Sequence, residues 1–219
     1  MPDALPTALV TGAAGFIGYH VCQRLLADGY RVIGFDGMSD YYDVQLKRDR
    51  LKQMAGNENF SFVEGLLEAD GVVMALFAEH KPDVVVHLAA QAGVRWSIEN
   101  PRASLAATLI GVFNMLEAAR AHKPAHMLMA STSSAFGANT DMPYVETQRA
   151  DHQMSFYAAT KTATEAMAHS YAHLYDIPIT MFRFFTVYGT WSRPDMAPIL
   201  FTKAILNGDP INIYNHGNM

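Results

Sequence analysis

Apolar residues along the chain fall into two alternating patterns. Short continuous runs at 8–10, 30–36, 60–63, 83–88, 126–130 and 179–184 read as strands. The run Val84, Val85, Val86 is β-branched throughout, as a strand buried on both faces should be. Between these runs apolar positions recur with helical spacing. Phe16, Ile17, Val21, Leu25 and Leu26 fall on one face, and further helices are expected over 44–54, 69–80, 102–122 and 155–175. Pro82, Pro124 and Pro178 separate the elements. Alternation of this kind predicts an α/β fold, a doubly wound Rossmann-type parallel sheet with helices on both faces. The tail differs. Residues 196–207 read as a short helix and 210–214 as a single strand. Asn215-His216-Gly217-Asn218 then has a turn composition with no strand behind it. The expectation is a sequence that stops within an architecture, as a fragment or a natural truncation.

Three glycines, Gly12, Gly15 and Gly18, stand between the first strand and the first helix. Gly12 allows the tight turn, Gly15 a close backbone approach to a pyrophosphate, and Gly18 close packing of helix on strand. The helix N-terminus offers N–H groups and a partial positive charge to the anion. Such a turn can also be purely structural. Asp36, at the end of the second strand, tips the reading toward a dinucleotide. Its carboxylate can accept from both ribose hydroxyls and would repel a 2′-phosphate, which favours NAD over NADP.

Composition changes this picture little. Half of the 219 residues are hydrophobic, enough for one domain or slightly more, and the net charge of −5 carries no basic block. Nucleic acid and membrane surfaces are therefore not expected partners. Lys47, Arg48, Arg50 and Lys52 read as a solvated helix face. Cys22 is the one cysteine, read as a buried, inert thiol that fits a reducing cytosol. No metal site is expected: His169 and His173 share a helix face but lack a third ligand.

Tyr157 and Lys161 are four apart in a helical pattern and project from one face. An ammonium beside the phenol, and a positively charged nicotinamide ring, would favour the phenolate and make Tyr157 a general base. An ordinary exposed Tyr–Lys pair has the same spacing. The strand end Ser131-Thr132-Ser133-Ser134 lies where open α/β sheets place their ligands, although such hydroxyls also cap local backbone.

Taken together, Thr11-Gly12-Ala13-Ala14-Gly15-Phe16-Ile17-Gly18, Asp36, His87-Leu88-Ala89-Ala90, Ser131-Thr132-Ser133-Ser134 and Tyr157-x-x-x-Lys161 resemble the extended short-chain dehydrogenase/reductase family. This is the family of NAD-dependent nucleotide-sugar epimerases and dehydratases. Within it, Tyr41-Tyr42-Asp43-Val44, Ala92-Gly93-Val94-Arg95, Ser97-Ile98-Glu99-Asn100-Pro101 and the run from Arg183 to Gly189 followed by Arg193-Pro194-Asp195-Met196-Ala197 resemble the UDP-glucuronate 4-epimerases.

The resemblance implies a catalytic Thr132, Tyr157 and Lys161. It implies cofactor contacts at Gly12, Gly15, Phe16, Ile17, Gly18, Asp36, Leu67, Leu88, Ala89 and Ala90, as well as at Tyr157 and Lys161. It implies substrate contacts at Arg95, Ser133, Ser134, Thr186 and Arg193, the last two holding a sugar carboxylate. Serine at 134, where dehydratases and decarboxylases of the family carry acids, implies epimerisation alone. Leu66 replaces an Asp that the family usually places near the adenine. By the same resemblance, residues 1–185 form an NAD-binding domain, 186–219 begin a truncated C-terminal substrate domain, and helices 102–122 and 155–175 pair two copies into a homodimer. A neutral sugar such as UDP-glucose is the alternative substrate, and a non-catalytic nucleotide-binding fragment the alternative class.

Overall fold

The sheet grows outward from β1 (Thr7–Thr11), which is buried along its whole length. The protein is described here from a computed structural model covering residues 5–211, 213 and 217. β2 (Arg31–Asp36) and β3 (Phe60–Glu64) extend it on one side; β4 (Val84–His87), β5 (His126–Thr132) and β6 (Ile179–Phe184) extend it on the other. All pairings are parallel, in the order β3-β2-β1-β4-β5-β6. The order reverses between β1 and β4, and the crevice at their C-terminal ends is where such sheets hold ligands.

Side chains alternate between the two faces as strand geometry requires. Leu9, Ile33, Phe35, Val85, Met127 and Met129 pack into the larger core, under α3 (Val72–His80), α6 (Gly111–Ala121) and α7 (Phe156–Tyr175). Val10, Val32 and Val86 pack into the smaller one against Tyr19 and Cys22 of α1 (Phe16–Ala27). The α/β doubly wound reading therefore holds. Cys22 is fully buried, and burial pushes its thiol up to about 12, which keeps it inert.

Several local expectations are corrected. α1 turns Gly18, Tyr19 and Cys22 to the sheet, while Ile17, Val21 and Leu25 line an apolar groove of about 640 Å³ with Leu128, Phe182 and Phe184. The apolar stripe of α1 is thus only partly covered: Phe16 is buried and Val21, Leu25 and Leu26 pack against the smaller core, while the same side of the helix also lines the groove. The helix expected over 102–122 is broken into α5 (Pro101–Leu105), a π-helical segment (Ala106–Ile110) and α6. A short α4 (Val94–Glu99) precedes it, too short for its periodicity to register. α8 (Ala197–Asn207) forms as expected, with no buried residue. The strand expected over 210–214 lies partly outside the described residues, and 210, 211 and 213 belong to no strand.

The largest correction concerns α2 (Val44–Lys52). Arg48 and Lys52 are exposed, but Lys47 and Arg50 are buried. Lys47 Nζ lies 3.5 Å from an Asp36 oxygen, and Arg50 reaches into the loop that follows β6.

Candidate active site

The glycine turn has little room for anything else. Gly12 has φ +74°, and a Cβ there would come within 2.9 Å of the Ala89 amide nitrogen. A Cβ on Gly18 would run into the Gly12 carbonyl oxygen. Gly15 caps α1 without any side-chain hydrogen bond, so the backbone of Phe16 and Ile17 opens the helix with no side chain across it. Leu88, Ala89 and Ala90 continue β4 past this turn, and Ala89 N–H donates to Thr11 Oγ1 at 3.2 Å. The Asp36 carboxylate accepts from Ala14 N–H at 3.2 Å and Met38 N–H at 2.9 Å. A cradle that side chains would fill, an uncapped helix N-terminus and a fixed carboxylate one strand away fit a dinucleotide. Leu67 has its side chain buried against Gly111, and its carbonyl accepts from Asn114 Nδ2 at 2.8 Å. Leu66 is the exposed neighbour.

At the end of β5 the structure brings Thr132 and Tyr157 together. Ser155 caps α7 by accepting from Ala158 N–H at 3.1 Å, and Ser97 Oγ accepts from Tyr157 N–H at 3.1 Å. Two of the orphan amides of α7 are thereby satisfied and Tyr157 is fixed at the helix start. Burial raises the Tyr157 phenol above its ordinary value, while a hydrogen bond with Thr132 and the charge of Arg193 pull it down. Arg193 is thus one cation whose charge bears on the phenol. Lys161 donates to the Ala130 carbonyl at 2.9 Å, and burial lowers its ammonium to about 8 against the opposing charge of Glu165.

Ser133 and Ser134 follow in a 3₁₀ turn, half-buried, with Ser134 N–H donating to Thr132 Oγ1 at 3.2 Å. His87, at the end of β4, has Nδ1 2.7 Å from Thr11 Oγ1. Burial, with the charge of Lys161 in support, drives its imidazole to about 3, so it stays neutral near pH 7. The π-helical segment packs behind this site, and such segments recur at functional sites.

Spacing within the sequence did not single out the Glu165 network. Glu165 lies one helical turn beyond Lys161, accepts from Ser131 Oγ, and takes Arg183 Nε and Nη2 at 3.0 and 2.7 Å. Burial works to raise its carboxyl, but the hydrogen bonds from Arg183 and Ser131 outweigh it and leave the group low and ionised. Ser131 and Arg183 are register partners on β5 and β6, so Glu165 ties both strand ends to α7. The i, i+4 spacing from Lys161 was the available signal.

Thr186 is exposed in the loop after β6, and Arg95 is exposed on α4. Arg193 is half-buried and paired with Asp195 at 3.0 and 2.6 Å, with its guanidinium 5.3 Å from the centre of the Tyr41 ring. Burial works against that charge, and Asp195 outweighs it.

A family model described as the NAD dependent epimerase/dehydratase family matches residues 8–219. The chain belongs to this family. It is 54% identical over 211 residues to a probable UDP-glucuronate 4-epimerase of Rhizobium meliloti, covering 96% of this chain and 62% of that one. It is 52% identical to the protein CapI of Staphylococcus aureus, covering 96% and 63%. Among solved structures it superposes on the UDP-glucuronic acid 4-epimerase of Bacillus cereus in complex with UDP-glucuronic acid and NAD. That superposition has a TM-score of 0.89 and 34% identity, over 96% of this chain and 66% of that one. The epimerase/dehydratase chain thus spans somewhat under two thirds of the length of these relatives.

Proposed function

We propose that this protein is a nucleotide-sugar 4-epimerase that interconverts UDP-glucuronate and UDP-galacturonate. The observation that carries the reading is the hydrogen bond between Thr132 and Tyr157 at the C-terminal end of β5, two strands along the sheet from the glycine turn that follows β1. In this reading residues 1–185 hold the cofactor and 186–219 begin the substrate side. Gly12, Gly15, Gly18, Phe16 and Ile17 would hold the pyrophosphate of NAD, Asp36 its ribose, and the Leu88–Ala90 backbone the inner wall. Bound NAD supplies the reversible hydride acceptor that chemistry at C4 requires.

The residues of the chain do the rest. Tyr157 takes the proton of the C4 hydroxyl, directly or across Thr132, and returns it to the same oxygen once the 4-keto sugar has turned its other face to the hydride. Lys161 adds positive charge beneath the β5 end. Ser133 and Ser134 offer hydroxyls to sugar oxygens and bring no acid for elimination. A uronate oxidised at C4 is a β-keto acid and loses CO₂ readily. Holding its carboxylate near the plane of the ketone π system suppresses that loss, and Arg193 with Thr186 and Arg95 would do the holding. The Asp195 pairing leaves the Nη1 edge of Arg193 for a second carboxylate.

The reading includes a homodimer, supported by exposed apolar side chains on the helices concerned: Leu105, Ile110 and Phe113 along 101–121, and Phe156 and Leu174 on α7. It also places the protein in the cytoplasm, which the single buried cysteine supports. No helix of the described residues is long and apolar enough to cross a membrane.

The test is a side-by-side assay of UDP-glucuronate and UDP-glucose with wild-type protein and an Arg193→Ala variant. The uronate should be strongly preferred, and the variant should lose about 10²-fold in kcat/KM for it, the size of one charge-assisted contact. Equal turnover of UDP-glucose would replace this reading with a neutral-sugar epimerase.

A further inference from the structure

Arg50 is among the largest fully buried side chains, at 0% exposure, and none of the ion pairs among the described residues includes it. A lone buried guanidinium is costly unless oxygens surround it. Here they do. Nη1 donates to the Ala14 carbonyl at 2.9 Å and to the Tyr42 hydroxyl at 2.8 Å. Nε and Nη2 donate to the Trp191 carbonyl at 3.2 and 2.7 Å, and Nη2 also reaches the Ser192 carbonyl at 3.5 Å. Ala14 lies in the glycine turn. Trp191 and Ser192 immediately precede Arg193.

The same loop is held at its other points from the same side of the molecule. His20 Nε2 lies 2.9 Å from the Thr190 carbonyl oxygen, and the Tyr41 hydroxyl donates to Asp195 at 3.3 Å. Trp191 has a positive φ of 61°, a strained state for a bulky residue that persists only where surroundings enforce it. Two hydrogen bonds from Arg50 hold the carbonyl of this residue.

We propose that Arg50 is a positioning residue for Arg193, a buried fork that fixes the 190–195 loop against the glycine turn so that Arg193 faces the sugar carboxylate. This role rests on the carboxylate reading given above. Arg50 touches no substrate itself. It acts through backbone carbonyls, which only a planar, multidentate donor can hold at once; a lysine ammonium carries the charge but not the fork. The consequence is selective. Binding that depends on the carboxylate should depend on Arg50, and binding of the nucleotide alone should not.

Calorimetric titration of NAD-loaded protein at its natural length with UDP-glucuronate, and separately with UDP, tests this. Arg50→Lys should weaken UDP-glucuronate about tenfold and leave UDP within about threefold. In an Arg193→Ala background, Arg50→Lys should add no further penalty on UDP-glucuronate, because the two residues serve one contact. Equal weakening of both ligands, or penalties that multiply in the double variant, would overturn the proposal. If Arg50→Lys fails to fold by circular dichroism, Tyr42→Phe, which removes one acceptor, should show the same selectivity at about threefold; an unselective loss or no loss overturns the proposal equally. An Arg193→Ala variant that binds UDP-glucuronate like wild type would instead sink the carboxylate reading, and this proposal with it.

Discussion

Tyr157→Phe will lower epimerisation turnover by about 10²–10⁴-fold while leaving NAD affinity and thermal stability close to wild type. The substitution removes one hydroxyl and keeps the ring, so packing at the start of α7 is conserved. The backbone bond from Tyr157 N–H to Ser97 is untouched. What disappears is the partner of the Thr132 hydroxyl and, on the proposed function, the acceptor for the C4 proton. Steady-state kinetics with UDP-glucuronate measures the effect. Retention of more than about a tenth of the rate would move the base assignment elsewhere, since such groups contribute far more than tenfold. The phenol is raised by burial, so the pH–rate profile of the wild type should rise on its acidic side as the phenol ionises, and Tyr157→Phe should flatten that limb.

The second large effect falls on the cradle. Gly18→Ala should abolish NAD binding and lower the melting temperature, because the added methyl meets the Gly12 carbonyl, which is backbone and cannot step aside. Helix α1 would have to lift from the turn. Gly56→Ala is the control: nothing lies within 4 Å of a Cβ there, and stability and cofactor binding should not fall. Fluorescence titration with NAD and a thermal melt of both variants decide it. A Gly18→Ala protein that binds NAD normally would mean that the turn holds no pyrophosphate.

These two sites were legible in the sequence for a common reason. Their chemistry is local: glycines at a strand–helix junction, an acid at the next strand end, a phenol and an amine one helical turn apart. Where contacts are remote, local pattern misled. Arg50 and Lys47 lie in a charged helix segment that reads as solvated, and only the fold reveals that their partners are a loop some 140 positions away and the Asp36 carboxylate. The position of Lys161 was legible, but its hydrogen bond to the Ala130 carbonyl and the added charge of Arg193 on Tyr157 emerge only from the fold. Glu165 escaped notice because a carboxylate on a helix is ordinary until strands β5 and β6 deliver Ser131 and Arg183 to it. The stripe of α1 was legible in part: Phe16, Val21, Leu25 and Leu26 meet the core as the spacing implies, but the groove that the stripe also lines depends on Leu128, Phe182 and Phe184 from remote strands.

The claim at the centre is inversion at C4 by a hydrogen that leaves and returns within one site. Proton NMR of UDP-glucuronate incubated with NAD-loaded protein in D₂O tests it directly. The account predicts UDP-galacturonate with protium retained at C4, and the same equilibrium mixture when the reaction starts from UDP-galacturonate. Deuterium at C4, loss of CO₂ in place of epimerisation, or no UDP-galacturonate at all would contradict it.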